Sequence, residues 1–177
     1  TYADVYRPAD SGSHPVLLTR TPYDKSSAAS RTNAVDAASA ASEGYAVVIQ
    51  DVRGRHASMG EFYPFINEID DGYDSIEWAA SQPWSSGKVG MYGASYVGAT
   101  QWLAARSQAP SLTAIAPTVT ASDYHEGWAW QGGAFELGFN LSWAVGSLTE
   151  ANWKNLSTKL NLAEAGKTEL ISVKDSL

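Results

Sequence analysis

No cysteine occurs among the 177 residues, so thiol catalysis, disulfide staples and thiolate metal sites are closed to this chain. A cysteine-free composition suits oxidising and reducing compartments alike and leaves location open. Positive charge is also scarce: 12 lysines and arginines stand against 19 acids, a formal net charge of −7. The basic residues are scattered, whereas phosphate binding needs them clustered, so no nucleic-acid partner is expected. No apolar run reaches membrane-spanning length, and a soluble protein without a membrane partner is expected. No phosphate loop, dinucleotide fingerprint or EF-hand spacing is present, and no cofactor or metal is implied. The acids Glu68, Asp70, Asp71 and Asp74 read as the first turn of a helix, where the dipole favours negative charge.

What is present is a globular composition, 44% apolar and 18% charged, enough to bury the core of one ordinary domain. Tyr2 to Tyr6 alternates like a strand. Short apolar runs over Pro15 to Thr21, Tyr45 to Asp51, Val89 to Tyr92 and Thr113 to Pro117 suit buried strands. Between the second and third of these runs lies a helix signal. Asn67 can cap it, Ile69, Tyr73, Ile76 and Ala80 recur on one face, and Pro83 ends it. After Ser95 the small residues Gly98, Ala99, Ala104 and Ala105 let a second helix lie close to a sheet. This alternation predicts an α/β domain with a largely parallel sheet.

Beyond Thr118 the pattern changes. Trp128, Trp130, Phe135, Phe139 and Trp143 crowd a glycine-rich segment without strand alternation, which predicts a helical insertion from about Ser122. These aromatics pack as the insertion's own core or, in part, wall a substrate pocket; Trp128, Trp130 and Phe135 are the candidates. The expected division is a core over 1–121 and the beginning of a helical cap over 122–177. The chain opens on strand without a leader, and Leu156 to Leu177 lacks the apolar face of a completed domain. It reads as a fragment.

The most informative stretch is Lys88-Val89-Gly90-Met91-Tyr92-Gly93-Ala94-Ser95-Tyr96-Val97-Gly98. An apolar strand runs into a serine fenced by glycines, and a helix follows, as in a nucleophile elbow. Gly93 stands two positions before Ser95, but the place two positions after it is Val97, and the second glycine is Gly98. A tight strand-helix corner without chemistry would share the local pattern.

Further motifs accompany it in order: Arg20-Thr21-Pro22-Tyr23-Asp24-Lys25, Asp51-Val52-Arg53-Gly54-Arg55, Ser58-Met59-Gly60, Asp71-Gly72-Tyr73-Asp74 and Gln82-Pro83-Trp84-Ser85. The ordered set resembles the cocaine esterase and X-prolyl dipeptidyl peptidase group of α/β-hydrolases, which includes α-amino acid ester hydrolases and glutaryl acylases. That group's elbow is G-x-S-Y-x-G, matched by Gly93, Ser95, Tyr96 and Gly98. The resemblance spans about Tyr2 to Trp143. It implies an α/β-hydrolase core and a serine hydrolase acting on carboxylic ester or amide bonds through an acyl-enzyme.

By the same resemblance Ser95 is the nucleophile, and the Tyr96 backbone N–H and the Tyr23 hydroxyl are the oxyanion donors. The triad acid and histidine of that group follow the cap and are expected beyond this chain. Of the three histidines, His14 and His56 precede the serine and are in the wrong order; His125 has only Asp123 two residues before it. None is assigned. Arg53 and Arg55 are candidates for an anionic substrate, but Arg53 is expected instead to pair with a carboxylate such as Asp51 or Asp74 and fix its loop.

Asp123, Glu126 and Glu136 are the only acids early in the cap, and Trp128 to Gly133 carries none, which leans toward a neutral acyl group. The expected partner is a small ester or amide substrate, with a second chain or fragment as one way to complete the fold. Two other readings stand beside this one: a dipeptidyl aminopeptidase or acylase of the same group, and a noncatalytic ligand-binding protein that retains the fold.

Overall fold

A computed structural model of the protein describes residues 1–32 and 34–148. The chain clusters into two compact units, one of Thr1–Thr120 and a second beginning at Ala121. In the first, β1 (Ala3–Tyr6), β2 (His14–Thr21), β3 (Ala46–Asp51), β4 (Ser85–Ala94) and β5 (Leu112–Thr118) form one sheet in the order β1-β3-β2-β4-β5. β1 pairs antiparallel with β3, and every other pairing is parallel. Parallel neighbours need crossovers, supplied by α1 (Ala28–Thr32) and α2 (Ala37–Ser42), then α3 (Glu68–Ala80), then α4 (Tyr96–Arg106).

β2, β3 and the second half of β4 are largely covered on both faces, which explains why they read as continuous apolar runs rather than alternating ones. β5 departs from the buried strand expected there: it lies at the edge of the sheet, and each of its residues is half-buried or exposed. Val16, Leu18, Val48, Val89 and Met91 pack with Ile76 and Ala79 of α3 and Ala104 of α4. The opposite pleat sends Val47, Ile49 and Tyr92 against Ala37 of α2. Each large side chain so buried contributes about 1.5–3 kcal/mol.

Along the first pleat the residues turn polar toward the strands' carboxyl ends. Arg20 continues the row of Val16 and Leu18, Gln50 continues that of Ala46 and Val48, and the two are register partners. Both are buried. This polar floor corrects the expected face of α3. Its buried residues are Glu68, Asp71, Gly72, Ser75, Ile76 and Ala79, while Tyr73 is 39% exposed. The helix meets arginine rather than apolar surface at its first turns, so it turns Glu68 and Asp71 inward and leaves Asp70 and Asp74 exposed. Asn67 is not a side-chain cap either; it is already helical and makes no cap hydrogen bond.

The second unit also departs from expectation. No helix begins at Ser122; instead β6 (Trp130–Gln131) and β7 (Ala134–Phe135) form a two-stranded hairpin, followed by α5 (Leu137–Trp143) and a π-helical turn (Ala144–Leu148). Gly132 and Gly133 take φ values of 55° and 81°, the twist a two-residue hairpin turn requires and glycine supplies without strain. Trp130 and Phe135 face each other across it. The helix-compatible stretch Leu156 to Leu177 lies outside the described residues.

Candidate active site

Ser95 follows the last residue of β4 and precedes the first of α4, with φ 59° and ψ −126°. That conformation costs a non-glycine residue about 1–3 kcal/mol and persists only when its surroundings over-determine it. Here they do. The Ser95 N–H donates to the Thr118 carbonyl (3.0 Å), and the Ser95 carbonyl accepts from the Gly98 and Ala99 N–H groups (2.9 and 3.0 Å).

The same geometry explains the spacing of the glycines. A Cβ at Gly93, where φ is 130°, would lie 2.3 Å from Cγ1 of Val97. One at Gly98 would lie 2.7 Å from Thr120 Cγ2 and 3.1 Å from the Thr118 carbonyl oxygen. Val97 therefore fills the space over Gly93, and the closest approach to the segment after β5 falls one residue later, at Gly98. The serine is half-buried.

Tyr23 sits on the loop after β2 and comes to the elbow. Its ring meets the Tyr96 ring edge-on at 6.4 Å, and Tyr23 and Val97 both line a small cavity of about 80 Å³. The loop is tied down from several sides. Asp51 accepts from the Lys25 N–H through one carboxylate oxygen (2.8 Å) and from the Ala57 N–H through the other (3.1 Å). The Pro22 carbonyl accepts from Arg55 Nε (2.8 Å) and lies 3.1 Å from a ring nitrogen of His56. Arg55 is buried, with its guanidinium over Phe62, and burial lowers its pKa. It clamps a loop instead of facing substrate. Arg53 also serves structure, but its partner is Asp71, not Asp51 or Asp74. That contact raises the Arg53 pKa.

Beneath the elbow lies a polar network that the helix-dipole reading of the acids missed. The Tyr96 hydroxyl donates to Glu68 Oε1 (2.9 Å) and accepts from the Phe65 N–H (3.0 Å). Glu68 Oε2 accepts from Arg20 Nη1 (2.7 Å), and Arg20 Nε donates to Gln50 Oε1 (2.8 Å). Burial, and then the Glu68 charge, push the Tyr96 phenol far above its usual pKa. The signal available in sequence was a lone arginine at the end of an apolar strand, which a buried carboxylate had to match.

Among the described residues no histidine hydrogen-bonds to Ser95. His14 opens β2 opposite Ser85, so the length of β4 separates it from the elbow, about 30 Å at 3.3 Å per residue. It pairs with Asp10 (2.9 Å). His125 stacks on Trp130 at 5.3 Å, and Asp123 accepts from the His125 and Glu126 N–H groups, bonds that lower its pKa. In the same unit Trp128 lies 5.2 Å from Tyr124 and 6.5 Å from Phe139, and Trp130 lies 5.1 Å from Phe135, ring centre to ring centre. A cavity of about 630 Å³, lined by Tyr2, Gln50, Arg53, Asp71 and Trp78, includes none of Ser95, Tyr96 and Tyr23 in its walls. The strained serine, not cavity size, marks the candidate site.

Residues 2–171 match the X-Pro dipeptidyl-peptidase (S15 family) model. The chain belongs to this family. It is 45% identical over 144 residues to cocaine esterase from Rhodococcus sp. (strain MB1 Bresler), covering 80% of this chain and 25% of that protein. A solved CocE/NonD family hydrolase from Staphylococcus aureus superposes with a TM-score of 0.76 at 28% identity, over 85% of this chain and 31% of that one. A solved α-amino acid ester hydrolase gives 0.67 at 28% identity, over 84% and 28% of the respective chains. The fold is accordingly the N-terminal part of an α/β-hydrolase core. The chain spans about a quarter of the length of that cocaine esterase.

Proposed function

We propose that this chain carries the nucleophile half of a serine hydrolase acting on carboxylic ester or amide bonds. The observation that carries the reading is Ser95, held at φ 59° between β4 and α4 by glycines that admit no side chain. A hydroxyl is a poor nucleophile at neutral pH and needs a base. The triad acid and histidine are expected outside residues 1–177, and residues 1–177 alone are expected to turn esters over poorly. With that base in place, Ser95 Oγ attacks the carbonyl and its proton passes to the histidine. The negative charge on the carbonyl oxygen meets the Tyr96 N–H, at the start of a helix, and the Tyr23 hydroxyl. Loss of the alcohol or amine leaves an acyl-enzyme, which water hydrolyses.

Trp128, Trp130 and Phe135 are the proposed contacts for a neutral acyl group, and the 45% identity to an esterase favours esters over the dipeptidyl peptidase or acylase alternatives. In the complete protein, an organophosphonate is expected to label Ser95 stoichiometrically, and Ser95→Ala to abolish both labelling and p-nitrophenyl ester turnover. An unlabelled Ser95 would favour a noncatalytic protein that keeps the fold.

A further inference from the structure

The Tyr96 side chain belongs to no step of the chemistry just described, yet it is among the most constrained groups in the molecule. It is 1% exposed. Its hydroxyl bridges Glu68 and the Phe65 N–H, its ring stacks on Phe65 at 4.7 Å and 22°, and its edge meets the ring of Tyr23. Glu68 is held in turn by Arg20, whose second terminal nitrogen lies 3.8 Å from Asp71, and Asp71 is tied to Arg53. Four segments are joined through this chain of contacts: the end of β2, the loop after β3, the first turns of α3 and the elbow.

The backbone of Tyr96 and the phenol of Tyr23 are the two donors assigned above to the oxyanion, and both touch this one ring system. An oxyanion donor is effective only if it is already aimed before charge develops, and reorientation during the reaction forfeits its advantage. A main-chain N–H at the first position of a helix is outside the i→i−4 ladder, so its direction is set by what holds its own residue. We propose that Arg20 and Glu68 act as positioning residues for the oxyanion hole, pinning the Tyr96 phenol so that its backbone N–H and the neighbouring Tyr23 hydroxyl converge on one point. The proposal rests on the serine hydrolase reading. The burial of Arg20, Glu68 and Tyr96 favours this role, because these three have no water to which they can drift; the network reaches solvent at Arg53, whose side chain is half exposed.

The test uses the complete protein, p-nitrophenyl butyrate as substrate and an organophosphonate as label. Tyr96→Phe keeps the ring and the backbone N–H and removes only the hydroxyl. Its kcat is expected to fall about tenfold, less than loss of a whole donor, with KM within about twofold. Phosphonylation of Ser95 should slow by a similar factor yet still reach full stoichiometry, which shows that the elbow is folded. Glu68→Ala should behave likewise, whereas Glu68→Gln, which keeps an acceptor for the phenol, should retain kcat within about threefold.

If Tyr96→Phe does not fold, the two Glu68 variants decide by the same split. Stoichiometric labelling with wild-type kcat in Tyr96→Phe, or equal kcat in Glu68→Gln and Glu68→Ala, would overturn the positioning role while leaving Ser95 the nucleophile. A wild-type protein that fails to label would instead overturn the hydrolase reading and this one with it.

Discussion

The elbow unit and the opening of the second unit both gather aromatic residues, but they hold them differently. Around Ser95, Tyr96 is fully buried and tied through its hydroxyl into an ionic network, and even the loop bearing Tyr23 is pinned by Asp51 and Arg55. In the hairpin and helix after Ala121, Trp130 and Trp128 are half-buried, and Phe135 and Phe139 are 46% and 45% exposed. Ring contacts and main-chain bonds such as Glu136 N–H to the Ala129 carbonyl (2.9 Å) hold that segment together. The contrast follows from the tasks proposed for the two regions. Covalent chemistry loses its rate advantage if donors shift by a fraction of an ångström. A surface that recognises apolar groups tolerates adjustment.

The sharpest way to break the comparison is Gly93→Ala. Its Cβ would meet Val97 at 2.3 Å in a backbone conformation that alanine resists, so a loss of about 3 kcal/mol in stability is expected. Urea unfolding measures the first loss, and phosphonate labelling of Ser95 should disappear with it. Normal labelling would show the elbow to be less constrained than its geometry implies.

A middle-sized effect is expected from Trp130→Ala in the hairpin. Removing the cross-strand pair with Phe135 should cost under about 1 kcal/mol of stability. KM for an aromatic ester should rise by up to about tenfold, at unchanged kcat and unchanged Ser95 labelling. A fall in kcat at constant KM would place this tryptophan in the rigid machinery and erase the distinction.

The smallest effect concerns Tyr92, on the opposite pleat from the network. Its hydroxyl is buried without a hydrogen-bond partner, and burial pushes its pKa up to about 12. Tyr92→Phe removes an unsatisfied polar group, so a gain of about 1 kcal/mol is expected at neutral pH, read from the melting temperature. The raised pKa has a further consequence. The folded state keeps the proton that the unfolded state releases near pH 10, so this contribution is intact below pH 10 and is lost as pH rises toward 12. The wild type should therefore lose stability more steeply than Tyr92→Phe over that interval. Equal slopes would mean that the phenol is solvated.

Much of this was legible in the chain. The apolar runs at β2, β3 and β4 named their strands because a sheet covered on both faces admits little else, whereas β5 was legible as a strand but not as the half-exposed edge it is. Gly93, Ser95 and Gly98 announced the elbow because close backbone approach excludes side chains. The inward acids of α3 were misread for a physical reason: negative charge in a first helical turn satisfies the dipole equally well whether it faces water or a buried arginine. The hairpin at Trp130 was passed over although Gly132-Gly133 is a strong two-residue turn signal, since the aromatic crowding on either side masked the short alternation.

Sequence by itself determined the α/β alternation, the strained serine and the family, since these rest on local residue types at fixed spacing. Only the tertiary structure decided that Arg53 answers Asp71 and that Glu68 joins Arg20 to Tyr96. Those partnerships link residues from 18 to 48 positions apart between Arg53 and Asp71 and between Arg20 and Glu68. Charge and spacing offer each arginine several acids of equal merit, and the register of β2 on β3 with the rotation of α3 above them selects one.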